Sequence, residues 1–179
     1  MSIFKLPRIV SGTKYLLFAA VLLPTVVSAQ WSVVTHQVSA SEPQTKIAQT
    51  TNTEGYTLEI YRDSGDAIRS RLTLVNGLIG LADKTCPTYQ IDKGQPRNRS
   101  INDAPCISSA QWAEFILGHV KDGKIESSTL HGLMIGINIT FRFILANGDY
   151  RETKFSLAGS MRTLQTAFGQ DIVVTASNP

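Results

Sequence analysis

Cys86 and Cys106 are the only cysteines in the 179-residue chain, and the segment between them constrains the fold more than any other stretch. It reads C-P-T-Y-Q-I-D-K-G-Q-P-R-N-R-S-I-N-D-A-P-C. Residue types predict a strand from Thr88 to Ile91, a turn at Asp92-Lys93-Gly94-Gln95 and a second extended piece from Arg97 to Ile101. A disulfide would close a two-stranded unit over a loop of about twenty residues, worth about 3 kcal/mol in the chain-entropy model. Pro87 and Pro105 restrict the backbone beside each cysteine and lower the entropy lost on closure. The competing reading is a reactive free thiol at Cys106, activated by a nearby base and the start of an expected helix.

The amino terminus bears on that choice. Lys5, Arg8 and Lys14 precede an apolar run from Tyr15 to Val27, and Val27-Ser28-Ala29 offers small residues at the positions a signal peptidase reads. Residues 1–29 are therefore expected to be a cleaved signal peptide, with Gln30 as the mature start and 30–179 as one β-rich domain. About 13 apolar residues, interrupted by Pro24, fall short of the ~20 a spanning helix needs, so no membrane span is expected after cleavage. No cysteine stands at the cleavage point, which argues against a lipoprotein. Export to the periplasm or medium exposes thiols to an oxidising compartment and favours one structural bond between Cys86 and Cys106.

Removing the leader also changes the charge. The chain has 17 Lys+Arg against 14 Asp+Glu, and the leader holds three of the basic residues and no acidic ones. The mature chain is thus balanced, and long-range electrostatics give it no reason to seek nucleic acid or anionic lipid.

Along the mature chain, Trp31 to Thr35 reads as a strand, followed by a polar loop from Gln37 to Gly55 with an edge strand near Lys46 to Gln49. Tyr56 to Arg62 alternates, with Tyr56, Leu58 and Ile60 on one face and Thr57, Glu59 and Tyr61 on the other. Asp63 to Asp66 is a turn, Ser70 to Val75 a further strand ended by Asn76-Gly77, and Leu78 to Leu81 a short strand. After Cys106, Ser108 or Ser109 with Gln111 resembles a helix cap, and Trp112, Phe115, Ile116, His119 and Val120 share a helical face ended by Gly123. Ile125 to His131 and Ile135 to Ala146 read as strands. A three-residue loop, Ala146-Asn147-Gly148, sets Arg142 opposite Glu152, Ile144 opposite Tyr150 and Ile139 opposite Phe155. A last helix is expected with Ser156 as cap and Leu157, Met161, Leu164 and Phe168 on one stripe, then a strand from Asp171 to Thr175. The fold class is mainly β: a single-domain antiparallel β-sandwich or open barrel with two short helices.

No catalytic constellation stands out. His36, His119 and His131 lack metal-ligand spacing, no nucleophile elbow or phosphate-cradling glycine loop is present, and neither a metal nor a cofactor is expected. Asp63 and Asp66 fit a solvated turn better than a calcium site. Lys93, Arg97 and Arg99 form a candidate binding loop inside the disulfide, competing with a plain exposed strand face. Asn98 and Asn138 stand in glycosylation triplets, of which only Asn98 lies where a sugar would fit.

Three motifs, Tyr89-Gln-Ile-Asp-Lys-Gly-Gln-Pro, Ala104-Pro-Cys-Ile-Ser and Phe155-Ser-Leu-Ala-Gly, together with Trp31, resemble the invasion-associated locus B family of exported bacterial proteins. A further cysteine pair and an aromatic residue in place of Ser160 belong to that pattern and are absent here. The resemblance implies a β-rich periplasmic or surface protein linked to host-cell invasion, without known enzymatic activity and with no catalytic residue to carry over. The expected function is thus a non-enzymatic exported domain that binds another protein or supports the envelope. The alternative is a small periplasmic inhibitor of a hydrolase, presenting Lys93 to Asn102 or Gln37 to Gly55 as a protruding loop. An enzyme ranks third and would need a pocket with convergent polar groups.

Overall fold

Alternating burial decides most of this structure, a computed structural model that describes residues 30–37, 44–98, 106–169 and 171–177. The expected leader, Arg99 and part of the Gln37 to Gly55 stretch lie outside those residues. Strands β1 (Ser32–His36), β2 (Thr45–Thr51), β3 (Thr57–Arg62) and β4 (Ala67–Thr73) form an antiparallel meander. In β3 the buried residues are Leu58 and Ile60, and Thr57, Glu59 and Tyr61 face outward. The stretch near Lys46 is not an edge strand, because β2 lies between β1 and β3.

The largest correction concerns the segment after Cys106. Trp112 to His119 is not a helix but a strand, β7, paired with β4 on one side and with β6 (Cys106–Ser108) on the other. The sequence W-A-E-F-I-L-G-H is apolar at helical spacing, but Ala113, Phe115 and Leu117 also alternate, and such short runs fit both periods. Pairing with two neighbours satisfies its backbone and buries Ala113, Phe115 and Leu117. Register shifts at Ile68/Arg69, where Arg69 faces Ile116 and Ile68 faces Gly118, which leaves Leu117 as an extra residue of a β-bulge. Gly118 fits here because a Cβ on it would come within 3.2 Å of Ile125 Cγ2. His119 ends the strand exposed, not on an apolar helical face.

The six-stranded sheet, in the order β1-β2-β3-β4-β7-β6, packs against a three-stranded one. The latter runs β10 (Tyr150–Ser156), β9 (Asn138–Ile144), β5 (Thr88–Ile91). Between them lies one core, in which Leu58, Ile60, Ile68, Leu72 and Phe115 meet Ile139, Phe141, Phe143 and Phe155. Rings interlock edge to face, Tyr89 with Phe115 at 5.3 Å and Phe141 with Phe155 at 6.0 Å between centroids. Each such buried side chain contributes about 1.5–3 kcal/mol. The chain is thus a single domain, mainly β, with the antiparallel sandwich-like architecture and two helices expected of it.

Neither helix lies quite where the sequence places it. The Ile125 to His131 stretch gives only a short strand, β8 (Lys124–Glu126), before α1 (Ser128–Ile135). Ser127 caps α1, its Oγ accepting from the Leu130 N–H at 3.1 Å and donating to the Leu117 carbonyl at 2.5 Å. Leu130 and Leu133 then face the core. The last helix, α2 (Ser160–Phe168), starts one turn later than expected, with Gly159 in the left-handed conformation at its cap instead of Ser156. Leu164 and Phe168 are buried, but Met161 is exposed and Leu157 precedes the helix. α2 covers the end of the β1–β3 meander. β11 (Val173–Thr175) pairs with β8 in parallel, apart from the two larger sheets. Leu78 to Leu81 supplies only a single bridge, Leu81 to Leu145.

Candidate functional site

The disulfide joins the two sheets. Cys86 precedes β5 in the three-stranded sheet and Cys106 opens β6 at the edge of the six-stranded one, with the sulfurs 2.08 Å and the alpha carbons 6.2 Å apart. Cys106 pairs with Phe115, whose ring meets Tyr89 of β5. The bridge therefore fixes where a core strand enters, and it docks no helix. The structure holds neither cysteine as a free thiol.

Of the candidate loop residues Lys93, Arg97 and Arg99, the first two lie among the described residues. Lys93 is exposed in the turn. Arg97 is fixed by two backbone bonds exchanged with Tyr89, and it lines a cavity of about 240 Å³ together with Glu126 and Thr129. Arg99 lies outside the described residues. Asn98, in the left-handed region at φ +58°, donates through Nδ2 to the Pro87 carbonyl.

A different set of polar residues does converge, on the outward face of the six-stranded sheet. Alternation places Tyr61 on β3, Arg69 and Arg71 on β4 and Trp112 and Glu114 on β7, all on the face away from the core. Cross-strand register puts Tyr61 beside Arg69 and Arg71 beside Glu114. The Glu114 side chain is only 7 % exposed, so its charge needs partners. Arg69 Nη1 donates to Oε1 at 2.9 Å, and Arg71 donates to Oε2 through Nε at 3.0 Å and Nη2 at 2.8 Å. The Tyr61 hydroxyl donates to Oε2 at 2.5 Å and accepts from Arg71 Nη2 at 3.1 Å. Arg69 also holds Asp63 at 2.5 Å, and Asp63 accepts from the Gly65 and Ala67 N–H groups of its turn. Asp63 and Asp66 are thus committed to arginines, Asp66 to Arg62. Among the described residues no group of three or more His, Cys, Asp or Glu side chains is placed to hold a metal ion.

The electrostatics follow from those contacts. Burial pushes the Glu114 carboxyl up, but the hydrogen bonds from Tyr61, Arg71 and Arg69 outweigh it and hold it below the usual carboxylate range. Burial, then the bond to Glu114, pushes Tyr61 up to about 12. Asp63 is likewise opposed by burial and lowered overall by Arg69 and its turn amides. Near neutral pH the set is therefore fixed in charge: two carboxylates, two guanidiniums and a protonated phenol.

Aromatic rings complete it. The Arg71 guanidinium carbon lies 5.6 Å from the Tyr61 ring centroid and 5.0 Å from that of Trp112, so the cation is held between two rings. Exposed Ile107, opposite Glu114, extends this face toward the edge. On the other side a depression of about 330 Å³ is lined by His36, Thr45, Ile47, Glu59, Tyr61 and Arg71. Reading Trp112 on a buried helical face concealed the site. The legible signal was Glu59 and Tyr61 alternating beside Arg69 and Arg71, which puts charged and aromatic residues on one exposed sheet face.

Among the described residues no helix is long and apolar enough to cross a membrane. Compared with family models, curated proteins and solved structures, the chain matches none of them. Fold and site together define a disulfide-clamped β-sandwich carrying a cation–aromatic face.

Proposed function

We propose that this protein is an exported, non-enzymatic binding domain of the periplasm or the medium, and that it recognises another protein through the outward face of its six-stranded sheet. The observation that carries this reading is Arg71, held between Tyr61 and Trp112 and bonded to Glu114. Tyr, Trp and Arg are the residue types that dominate binding energy at protein interfaces. A guanidinium already fixed by two rings and a carboxylate loses little further freedom when a partner covers it. Export is supported by the signal-like residues 1–29, and the disulfide is compatible with an oxidising compartment. The link to host-cell invasion rests on the resemblance of the Tyr89 to Pro96, Ala104 to Ser108 and Phe155 to Gly159 motifs.

The test compares capture by the mature protein and by an Arg71→Ala/Trp112→Ala variant of matched fold, checked by circular dichroism. Extracts of the producing cell envelope and of host cells are both offered, and captured proteins are quantified by mass spectrometry. The proposal expects at least one protein enriched by the parent and reduced about tenfold or more by the variant. Equal capture by the two forms contradicts it. Inhibition of lysozyme that survives in the variant would favour the loop-borne hydrolase inhibitor instead.

A further inference from the structure

The two larger sheets end in four edge strands, β1, β6, β5 and β10. An edge offers a row of unpaired N–H and C=O groups on which another chain can pair. Three of these edges are closed or shortened. On β10, the Lys154 carbonyl accepts from Asn52 Nδ2 at 3.0 Å and the Ser156 carbonyl from Trp31 Nε1 at 2.9 Å. On β5, Tyr89 exchanges both backbone bonds with Arg97, at 3.2 and 2.7 Å. β6 is three residues long and begins at a disulfide-bonded cysteine.

β1 is different. It runs S-V-V-T-H with no proline, no Lys, Arg, Asp or Glu, and an uninterrupted register with β2. Among the described residues no hydrogen bond beyond the β2 pairing reaches Ser32 to His36. Beside this edge a groove of about 340 Å³ separates Gln30 to Val33 from Ala158 to Thr166 of the α2 segment. Arg162 lines it, exposed and without a carboxylate partner among the described residues, and no Asp or Glu lines the groove.

We propose that the open edge of β1 takes an extended segment of a partner protein as a seventh strand, with an Asp or Glu side chain of that segment bonded to Arg162. Backbone pairing supplies the attachment, and alternate side chains of an added strand point to one side of the sheet, here toward the α2 groove. A carboxylate is the matching group because the guanidinium presents a planar fork that bonds both of its oxygens. This contact is separate from the Arg71–Trp112 face, which lies across β2 and β3 from β1.

The experiment selects linear twelve-residue peptides from a random phage-displayed library on the mature protein. Selected peptides are then synthesised plain, with Gln or Asn replacing each acidic residue, and in two further forms, each with one of the two alternating sets of backbone nitrogens methylated. Expected are peptides of alternating β-branched residues that contain Asp or Glu. Their affinity should fall about tenfold on amide replacement and by the same factor with Arg162→Gln, vanish with one of the two methylated sets but not the other, and be unchanged by Arg71→Ala. No selected binder, binders indifferent to Arg162→Gln, or binders that tolerate both methylated sets would each overturn the proposal. Loss of binding with Arg71→Ala but not Arg162→Gln would also overturn it, by assigning the peptides to the sheet face.

Discussion

Arg71 on β4 and Glu114 on β7 stand directly opposite one another, and two nitrogens of the one, Nε and Nη2, share a single carboxylate oxygen of the other at 3.0 and 2.8 Å. The pair joins two neighbouring strands of the six-stranded sheet. It sits where a nearly buried acid is surrounded by cations that keep partial access to water, Arg71 at 36 % and Arg69 at 23 % exposure. Removing one partner of a buried pair strands the other, at a cost of about 3–5 kcal/mol when both are fully desolvated. Here water recovers part of that loss. Glu114→Ala should therefore destabilise by about 2–3 kcal/mol in urea unfolding. A loss below about 0.5 kcal/mol would mean that the network is an ordinary surface arrangement.

The same residues set a dependence on pH. Tyr61 ordinarily loses its proton near 10, whereas in the fold it does so at about 12. The stability contributed by its protonated, hydrogen-bonding form is present in full below pH 10 and is lost as pH rises toward 12. Glu114 and Asp63 act in the opposite sense. Their folded values are lowered, so their contribution is present above their ordinary values of 4.5 and 3.8 and is lost as pH falls through the folded ones. Thermal melts from pH 9 to 12 should fall more steeply for the parent than for Tyr61→Phe. Parallel curves would contradict the account of Tyr61.

The Cys86–Cys106 bond should act as a clamp between sheets. Replacing both cysteines by Ser should cost about 2–5 kcal/mol. Hydrogen exchange should then rise first in β5 and β6, which the bond joins, and leave the β1–β3 meander protected. Uniform loss of protection, or none, would assign the bond a different role.

The hairpin of β9 and β10 was legible in the sequence down to its register. Gly148 takes φ +86° in the loop, Arg142 faces Glu152 with Nε 2.8 Å from Oε2, Ile144 faces Tyr150 and Ile139 faces Phe155. Local chemistry sufficed there, because an Asn-Gly loop and alternating strands leave few registers to choose from. A double-mutant cycle on Arg142 and Glu152 should give a few tenths of a kcal/mol and at most about 1, since both are partly exposed. A coupling near zero would reduce the pair to a geometric coincidence. By contrast, β7 and α1 were exchanged in type. Trp112 to His119 satisfies both periods, and only pairing with β4 and β6, distant in sequence, decides for the strand. Ser127-Ser128-Thr129 held a helix cap that the flanking apolar residues masked. The outward face was lost with β7, because Glu114 meets Arg69 and Arg71 only once that strand lies beside β4.

The claim that the six-stranded face is the contact surface is tested most directly by site-specific photo-cross-linking in the producing organism. Ile107 and Tyr150 are both exposed, the first beside Glu114 and the second on the outer face of the other sheet. Each is replaced in turn by p-benzoylphenylalanine and irradiated, and adducts are resolved by mass. The account predicts a discrete protein adduct from position 107 that disappears with Arg71→Ala, and none of comparable yield from position 150. An adduct from 150 alone, or an adduct from 107 that persists without Arg71, would contradict it.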